Sequence, residues 1–126
     1  MKVLEFVQED NSCPYAIWFN SLGPTEAAKI TVAKARLQGG NTSAIKWFRG
    51  IGEYVIDWGP GYRIYLAKDG DDLIILYGGG TKNGQQQNIE AALVLHTQYK
   101  AAKKAAKKAV KVTSKGGAKR SKTLRK

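Results

Sequence analysis

The 126-residue sequence predicts an α+β domain with helices on one face of a mainly antiparallel sheet. Three observations predict it. Apolar residues recur with a helical period between residues 14 and 38, with a period of two from Ile45, and with a helical period again after Gln85. The period-two segments are divided by R-G-I-G, G-P-G and K-D-G-D, turn chemistries that suit hairpins. One segment, L-I-I-L-Y, does not alternate at all, which fits a central strand buried on both faces.

In chain order, K-V-L-E-F-V at residues 2–7 reads as a short strand. Pro14 opens a helical stretch, Y-A-I-W-F-N-S-L, which ends at Gly23. Pro24 and Thr25 begin a second, in which Ala27, Ile30, Ala33 or Lys34, and Leu37 fall on one side, and Gly39, Gly40 and Asn41 end it. Two short antiparallel helices after an edge strand are expected. The segments I-K-W-F, E-Y-V-I-D-W, Y-R-I-Y-L-A and D-L-I-I-L-Y then carry the sheet. If Tyr62, Ile64 and Leu66 face the helices, Arg63 and Tyr65 face the other way. A third helix starts near Gln85 and runs through N-I-E-A-A-L-V-L-H-T-Q-Y, with Ile89, Leu93 and Leu95 on its apolar side. The expected order is β-α-α-β-β-β-α, with the sheet face opposite the helices partly bare.

Charge divides the chain. Residues 1–99 hold six Lys and three Arg against all ten acids, a net of −1, whereas residues 100–126 hold ten Lys, two Arg and no acid, a net of +12. The formal charge of +11 therefore belongs to a lysine/alanine-rich tail appended to a nearly neutral domain. Lys100, Lys103, Lys104, Lys107, Lys108 and Lys111 are three or four apart, so a helix gathers them into one stripe. Like charges at that spacing repel, and such a helix is expected to fray when free and to order against an anion. Disorder is expected after Gly116. Cys13 is the lone cysteine, which excludes an intramolecular disulfide and fits a reducing cytosol. M-K-V-L-E-F-V-Q-E-D turns acidic before a signal-peptide core forms, and L-I-I-L-Y is far short of a bilayer span. A cytoplasmic protein with no membrane partner is expected.

The sequence has no Cys pair, no His pair, no H-E-x-x-H and no acids at metal-ligand spacing, so neither a metal nor a cofactor is expected. His96, the only histidine, reads as a partly exposed helix residue rather than a catalytic base. G-G-G-T-K lacks the spacing of a nucleotide phosphate loop, and Gly78, Gly79 and Gly80 read as a flexible exit from strand to helix. A basic and aromatic set remains. Lys46, Trp47 and Arg49 precede the hairpin, Arg63 and Tyr65 lie on its returning strand, and Lys82 follows the central strand. On one concave face these cations offset the charge of an in-flight phosphate without a metal. Tyr65 and Trp47 there stack an unpaired base, the usual way of holding single-stranded RNA.

The same residues carry a family resemblance. G-I-G-E-Y-V-I-D-W-G-P-G-Y-R-I-Y followed by I-I-L-Y-G-G-G-T-K-N-G-Q-Q-Q-N-I-E-A-A, with R-L-Q-G-G-N-T-S-A-I-K-W upstream, resembles the addiction module killer branch of the RelE/HigB toxins. The likeness covers roughly residues 3–97. It implies a small RelE-like domain over residues 1–99 that is the toxin of a type II toxin–antitoxin module. The implied activity is that of an mRNA interferase, an endoribonuclease that cuts mRNA on the ribosome without a metal. The implied partner is a helix-turn-helix, HigA-like antitoxin. Carried over residue by residue, the G-Y-R arginine is Arg63, the loop lysine is Lys82 and the lysine after the G-N motif is Lys46. These three are the implied catalytic residues; Arg49, Tyr65 and Trp47, from the basic and aromatic set, are expected to bind substrate. In two places the chain departs from the pattern. Where the branch reads E-L-R-I this chain has Glu53-Tyr54-Val55-Ile56, so Val55 replaces an arginine, and the lysine tail is extra. The alternative is a non-catalytic RelE-fold protein that binds nucleic acid or a partner. Its twelve tail cations hold RNA or DNA without sequence preference, in a way that weakens steeply with salt.

Overall fold

The computed structural model describes residues 1–115, with side chains as far as residue 107. Its elements are β1 (Lys2–Glu5), α1 (Pro14–Asn20), α2 (Pro24–Gln38), β2 (Ile45–Phe48), β3 (Ile51–Ile56), β4 (Tyr62–Asp69), β5 (Leu73–Gly80) and α3 (Gln85–Lys115). The fold is α+β, with one strand more than β-α-α-β-β-β-α. Ile45–Phe48 and Ile51–Ile56 are separate strands because Arg49 (φ 51°) and Gly50 (φ 86°) both take the left-handed conformation between them. A two-residue turn of that hand follows the twist of the strands it joins. The sheet order is β1-β5-β4-β3-β2. β1 pairs with β5 in parallel, and every other pair is antiparallel. The L-I-I-L-Y strand thus lies between β1 and β4, and Ile74, Ile75, Leu76 and Tyr77 are all buried.

The main core lies between one sheet face and the first two helices. Ile30, Ala33 and Leu37 of α2 and Tyr15 of α1 meet Ile45, Tyr54, Ile64, Leu66, Ile74 and Leu76 of the sheet. Both helices begin on proline, Pro14 and Pro24, whose fixed φ suits a first turn that has no use for its missing N–H. Full burial of a side chain such as Ile30 or Leu37 contributes about 1.5–3 kcal/mol.

The second sheet face is not bare. Ile51, Tyr65, Ala67 and Ile75 alternate onto it and are buried. The first turns of α3 cover it, with Ile89 and Ala92 buried and Gln85 and His96 bonded to sheet side chains. Those positions repeat at helical spacing, so the helix has an apolar stripe that needs a surface to cover.

Nor are Gly78, Gly79 and Gly80 a flexible exit. They belong to β5, paired with Tyr65, Ile64 and Arg63, and none has a positive φ. Their absent side chains make room. A β-carbon on Gly79 would overlap the Trp18 ring of α1 and the Arg63 carbonyl, and one on Gly80 would overlap the Asn88 carboxamide of α3. Adjacent residues alternate faces, so two helices close on the strand from opposite sides at neighbouring glycines. Beside them, Tyr77 is the extra residue of a β-bulge, since Tyr65 pairs with Gly78 and Leu66 with Leu76.

The chain divides into two compact units, residues 1–96 and residues 97 onward, and α3 runs unbroken through the division to Lys115. Alanine and lysine are strong helix formers, and extending a formed helix has no nucleation cost. Lys100, Lys103, Lys104 and Lys107 are exposed. The disorder expected after Gly116 falls outside the described residues, within which no helix is long and apolar enough to cross a membrane.

Gly79→Ala should lower stability by about 1–3 kcal/mol, the usual cost of overpacking. Gly78→Ala should change it by less than about 1 kcal/mol, since a β-carbon there meets nothing within 4 Å and Gly78 borders a cavity of about 160 Å³. Urea denaturation of both variants checks the contrast.

Candidate functional site

The sheet face under α3 is organised by its register. One row across β2, β3, β4 and β5 runs Lys46, Glu53, Tyr65, Gly78; the next runs Val55, Arg63, Gly80 across β3 to β5. Glu53 is therefore directly opposite Tyr65 and diagonal to Arg63, and its side chain is only 2% exposed. A buried carboxylate is costly unless it is paired and hydrogen-bonded, and this one is both. Its Oε2 accepts from the Tyr65 hydroxyl at 3.0 Å and from Gln85 Nε2 at 2.7 Å. Arg63 Nε lies 3.4 Å from the same oxygen, an ion pair without hydrogen-bond geometry, and Nε has no hydrogen-bond partner. Arg63 Nη1 donates to the Gly61 carbonyl at 2.7 Å, which anchors the guanidinium at the head of the β3–β4 turn.

The Tyr65 hydroxyl is held well above the usual tyrosine range, first by burial and then by its bond to the Glu53 carboxylate. The phenol therefore stays protonated and acts as a donor. Tyr15 is raised in the same direction, mainly by burial.

The six residues singled out in the sequence fall into five places, and only Arg63 and Lys82 share one. Arg63 and Lys82 come together. A β-carbon on Gly61 would lie 3.3 Å from Arg63 Nη1 and 3.9 Å from Lys82 Cβ, and Lys82 is exposed. Lys46 is also exposed, on the outer strand β2 opposite Glu53, one strand removed from β4 and hence about 10 Å from it. Arg49 sits in the β2–β3 turn, where its Nη1 reaches Glu90 Oε2 of α3 at 3.2 Å with both side chains more than half exposed. Trp47 is exposed but on the other sheet face, where a β-carbon on Gly52 would touch its ring together with the core residue Leu66. Tyr65 corrects the expectation most. It faces away from α1 and α2 as its parity requires, yet it is 1% exposed, because α3 closes over that face. It has no free ring for a base to stack on and serves Glu53 instead.

Two residues with clear roles escaped the sequence reading, Glu53 and Gln85. The G-P-G turn held the signal for Glu53: a hairpin closed there puts Glu53 opposite Tyr65 and beside Arg63, and an acid beside an arginine on one face is a pair.

No family model matches this chain. It is 38% identical over 91 residues to an uncharacterized protein of Haemophilus influenzae (strain ATCC 51907 / DSM 11121 / KW20 / Rd). The chain belongs to the same family as that protein. The match takes in 71% of this chain and 92% of the relative, and the relative's description assigns no activity.

Removing one partner of a buried ion pair typically costs about 3–5 kcal/mol, so Arg63→Met should destabilise by about 3 kcal/mol. Glu53→Gln in the same chain should restore at least about 1 kcal/mol of that. Strictly additive losses in a urea double-mutant cycle would mean that the two side chains do not interact.

Alkaline pH provides a second check. Both folded tyrosines hold their protons above the usual value of 10.0. Their contribution is complete below that value and is lost as pH rises through the folded range, because the unfolded chain ionises first. At least two of the six tyrosines should therefore stay un-ionised by absorbance at 295 nm until the fold opens.

Proposed function

We propose that this chain is the toxin of a type II toxin–antitoxin module and acts in the cytoplasm as a ribosome-dependent mRNA endonuclease. One observation carries the reading: Arg63 and Lys82 converge on Gly61. The G-P-G-Y-R and G-G-G-T-K stretches are separate in sequence, and the sheet makes them neighbours. Nη1 is held by the Gly61 carbonyl and Nε lies against Glu53, so the guanidinium of Arg63 is fixed in place, and in this reading it is the group that meets the phosphate. In the cleavage step the RNA 2′-oxygen bonds to the adjacent phosphorus and gives up its proton to water, the bond from phosphorus to the 5′-oxygen breaks, and that oxygen takes up a proton from Lys82 or water. The products are a 2′,3′-cyclic phosphate and a 5′-hydroxyl. Arg63 offsets charge on the non-bridging oxygens. Lys82 supplies charge or a proton at the departing 5′-oxygen, and Lys46, farther out, holds a flanking phosphate. Its partners in this reading are the ribosome with its mRNA and a HigA-like antitoxin.

A second reading has specific support. The Glu53 carboxylate already neutralises Arg63, and Val55 lies opposite Arg63 where the resembling branch has an arginine. In that reading the domain binds RNA or a partner without cutting, and the exposed helix lysines anchor it.

Lys82→Ala separates the two, because the exposed lysine can be removed without disturbing the core. On the first reading, it should reduce cleavage of mRNA on purified ribosomes by about 100-fold and relieve the growth arrest that follows induction of the chain alone. Val55→Arg should raise cleavage. Tight ribosome binding with no wild-type cleavage would favour the second reading.

A further inference from the structure

Next to the β3–β4 turn, a groove of about 340 Å³ runs between α2 and the end of β3. Lys29, Val32 and Arg36 of α2 form one wall and Tyr54, Asp57 and Trp58 the other. The helical residues are three and four apart, so they line one face of α2, and the three of them are exposed. Trp58 opens the turn itself, since the Gly61 N–H donates to the Trp58 carbonyl at 3.1 Å. Tyr62 stacks on its indole, ring centroids 6.0 Å apart and planes 25° apart, and Lys29 Nζ lies over the indole, 5.2 Å from its centre.

We infer that this groove is a binding subsite for one nucleotide of a single-stranded RNA, its base stacked on Trp58 and its phosphates held by Lys29 and Arg36. The geometry fits that ligand in three ways. Tyr62 stacks on the indole and holds it, a fixed platform of the kind on which single-stranded nucleic acids stack without base preference. The volume is at the small end of ligand sites, enough for one nucleotide unit. Lys29 and Arg36 stand two helical turns apart, about 10 Å along the axis, so they contact different phosphates of one strand. The exposed contact of Lys29 with the indole is weaker than base stacking, so an arriving base displaces the ammonium, which then turns to the phosphate. Asp57, exposed in the same groove, repels a phosphate and accepts from an exocyclic amino group, which favours the base at the Trp58 end. The assignment rests on the RNA-directed reading above: a strand seated here runs over the turn toward Arg63 and Lys82.

The test is tryptophan fluorescence of the full chain, titrated with a single-stranded tetraribonucleotide over a range of salt. Saturable quenching is expected in the wild type and should disappear in Trp58→Phe. Lys29→Ala and Arg36→Ala should each weaken binding at least fivefold and each reduce the slope of log Kobs against log salt by about 0.7, the loss of one single-strand phosphate contact. These two positions are on the surface, so they report even where Trp58→Phe disturbs the fold. Quenching that survives Trp58→Phe, or an unchanged slope in both lysine and arginine variants, overturns the site. So does preferential quenching by an acidic peptide, which would make the groove a protein-docking surface. The cleavage reading fails separately. RNA held here by a chain that leaves ribosomal mRNA uncut supports the subsite and removes the nuclease, whereas cleavage indifferent to Trp58, Lys29 and Arg36 removes the subsite alone.

Discussion

A carboxylate buried in the middle of a sheet imposes order on everything around it. Glu53 can be there only because Tyr65, Gln85 and Arg63 all face one of its oxygens, and these three come from β4, α3 and β4 respectively. The cost of leaving that charge unpaired therefore fixes the register of β3 against β4 and ties down the start of α3. A slip of one residue in the hairpin would turn Glu53 into the apolar core and Tyr54 out of it. The same cluster explains why Arg63 is rigid: its guanidinium is spanned between a side chain within the sheet and the Gly61 carbonyl. The chemistry proposed for the turn borrows that rigidity, since an arginine that need not be ordered on binding loses less entropy when a phosphate arrives.

Much of the fold was legible because its signals are local. The helical stripe Ile30, Ala33, Leu37 and the unbroken run of L-I-I-L-Y are set by neighbouring residues, and each matches its burial. The face of Arg63 and Tyr65 was legible too, since parity in a strand is arithmetic. What covered that face was not. Whether Tyr65 meets water or a helix depends on where α3 returns, a long-range event that its own strand does not encode. The glycines at 78–80 failed for the same reason, because the Trp18 and Asn88 side chains that need the space come from α1 and α3.

The candidate site divides along similar lines. Motifs named Arg63 and Lys82, and the sheet puts them at one turn. Trp47 and Arg49, close to Lys46 in sequence, are turned to other surfaces by a strand's alternation and a left-handed turn. Proximity along the chain therefore misleads in a sheet wherever it ignores pleat and register. The family relation to the Haemophilus protein, at 38% identity, supports a shared fold and leaves the chemistry to be decided by the residues themselves.

The parallel pairing of β1 with β5 has a bearing on how the molecule is made. Lys2 pairs with Leu73 and Glu5 with Leu76, so β1 has no partner until β5, far along the chain, is complete. While α1, α2 and the β2–β4 meander form from near neighbours, the segment K-V-L-E must wait, and closing a loop of that length is slow. During synthesis the segment thus stays unpaired until β5 is made and Leu76 can accept the Phe6 N–H. Topology sets this one order: β1 waits for β5.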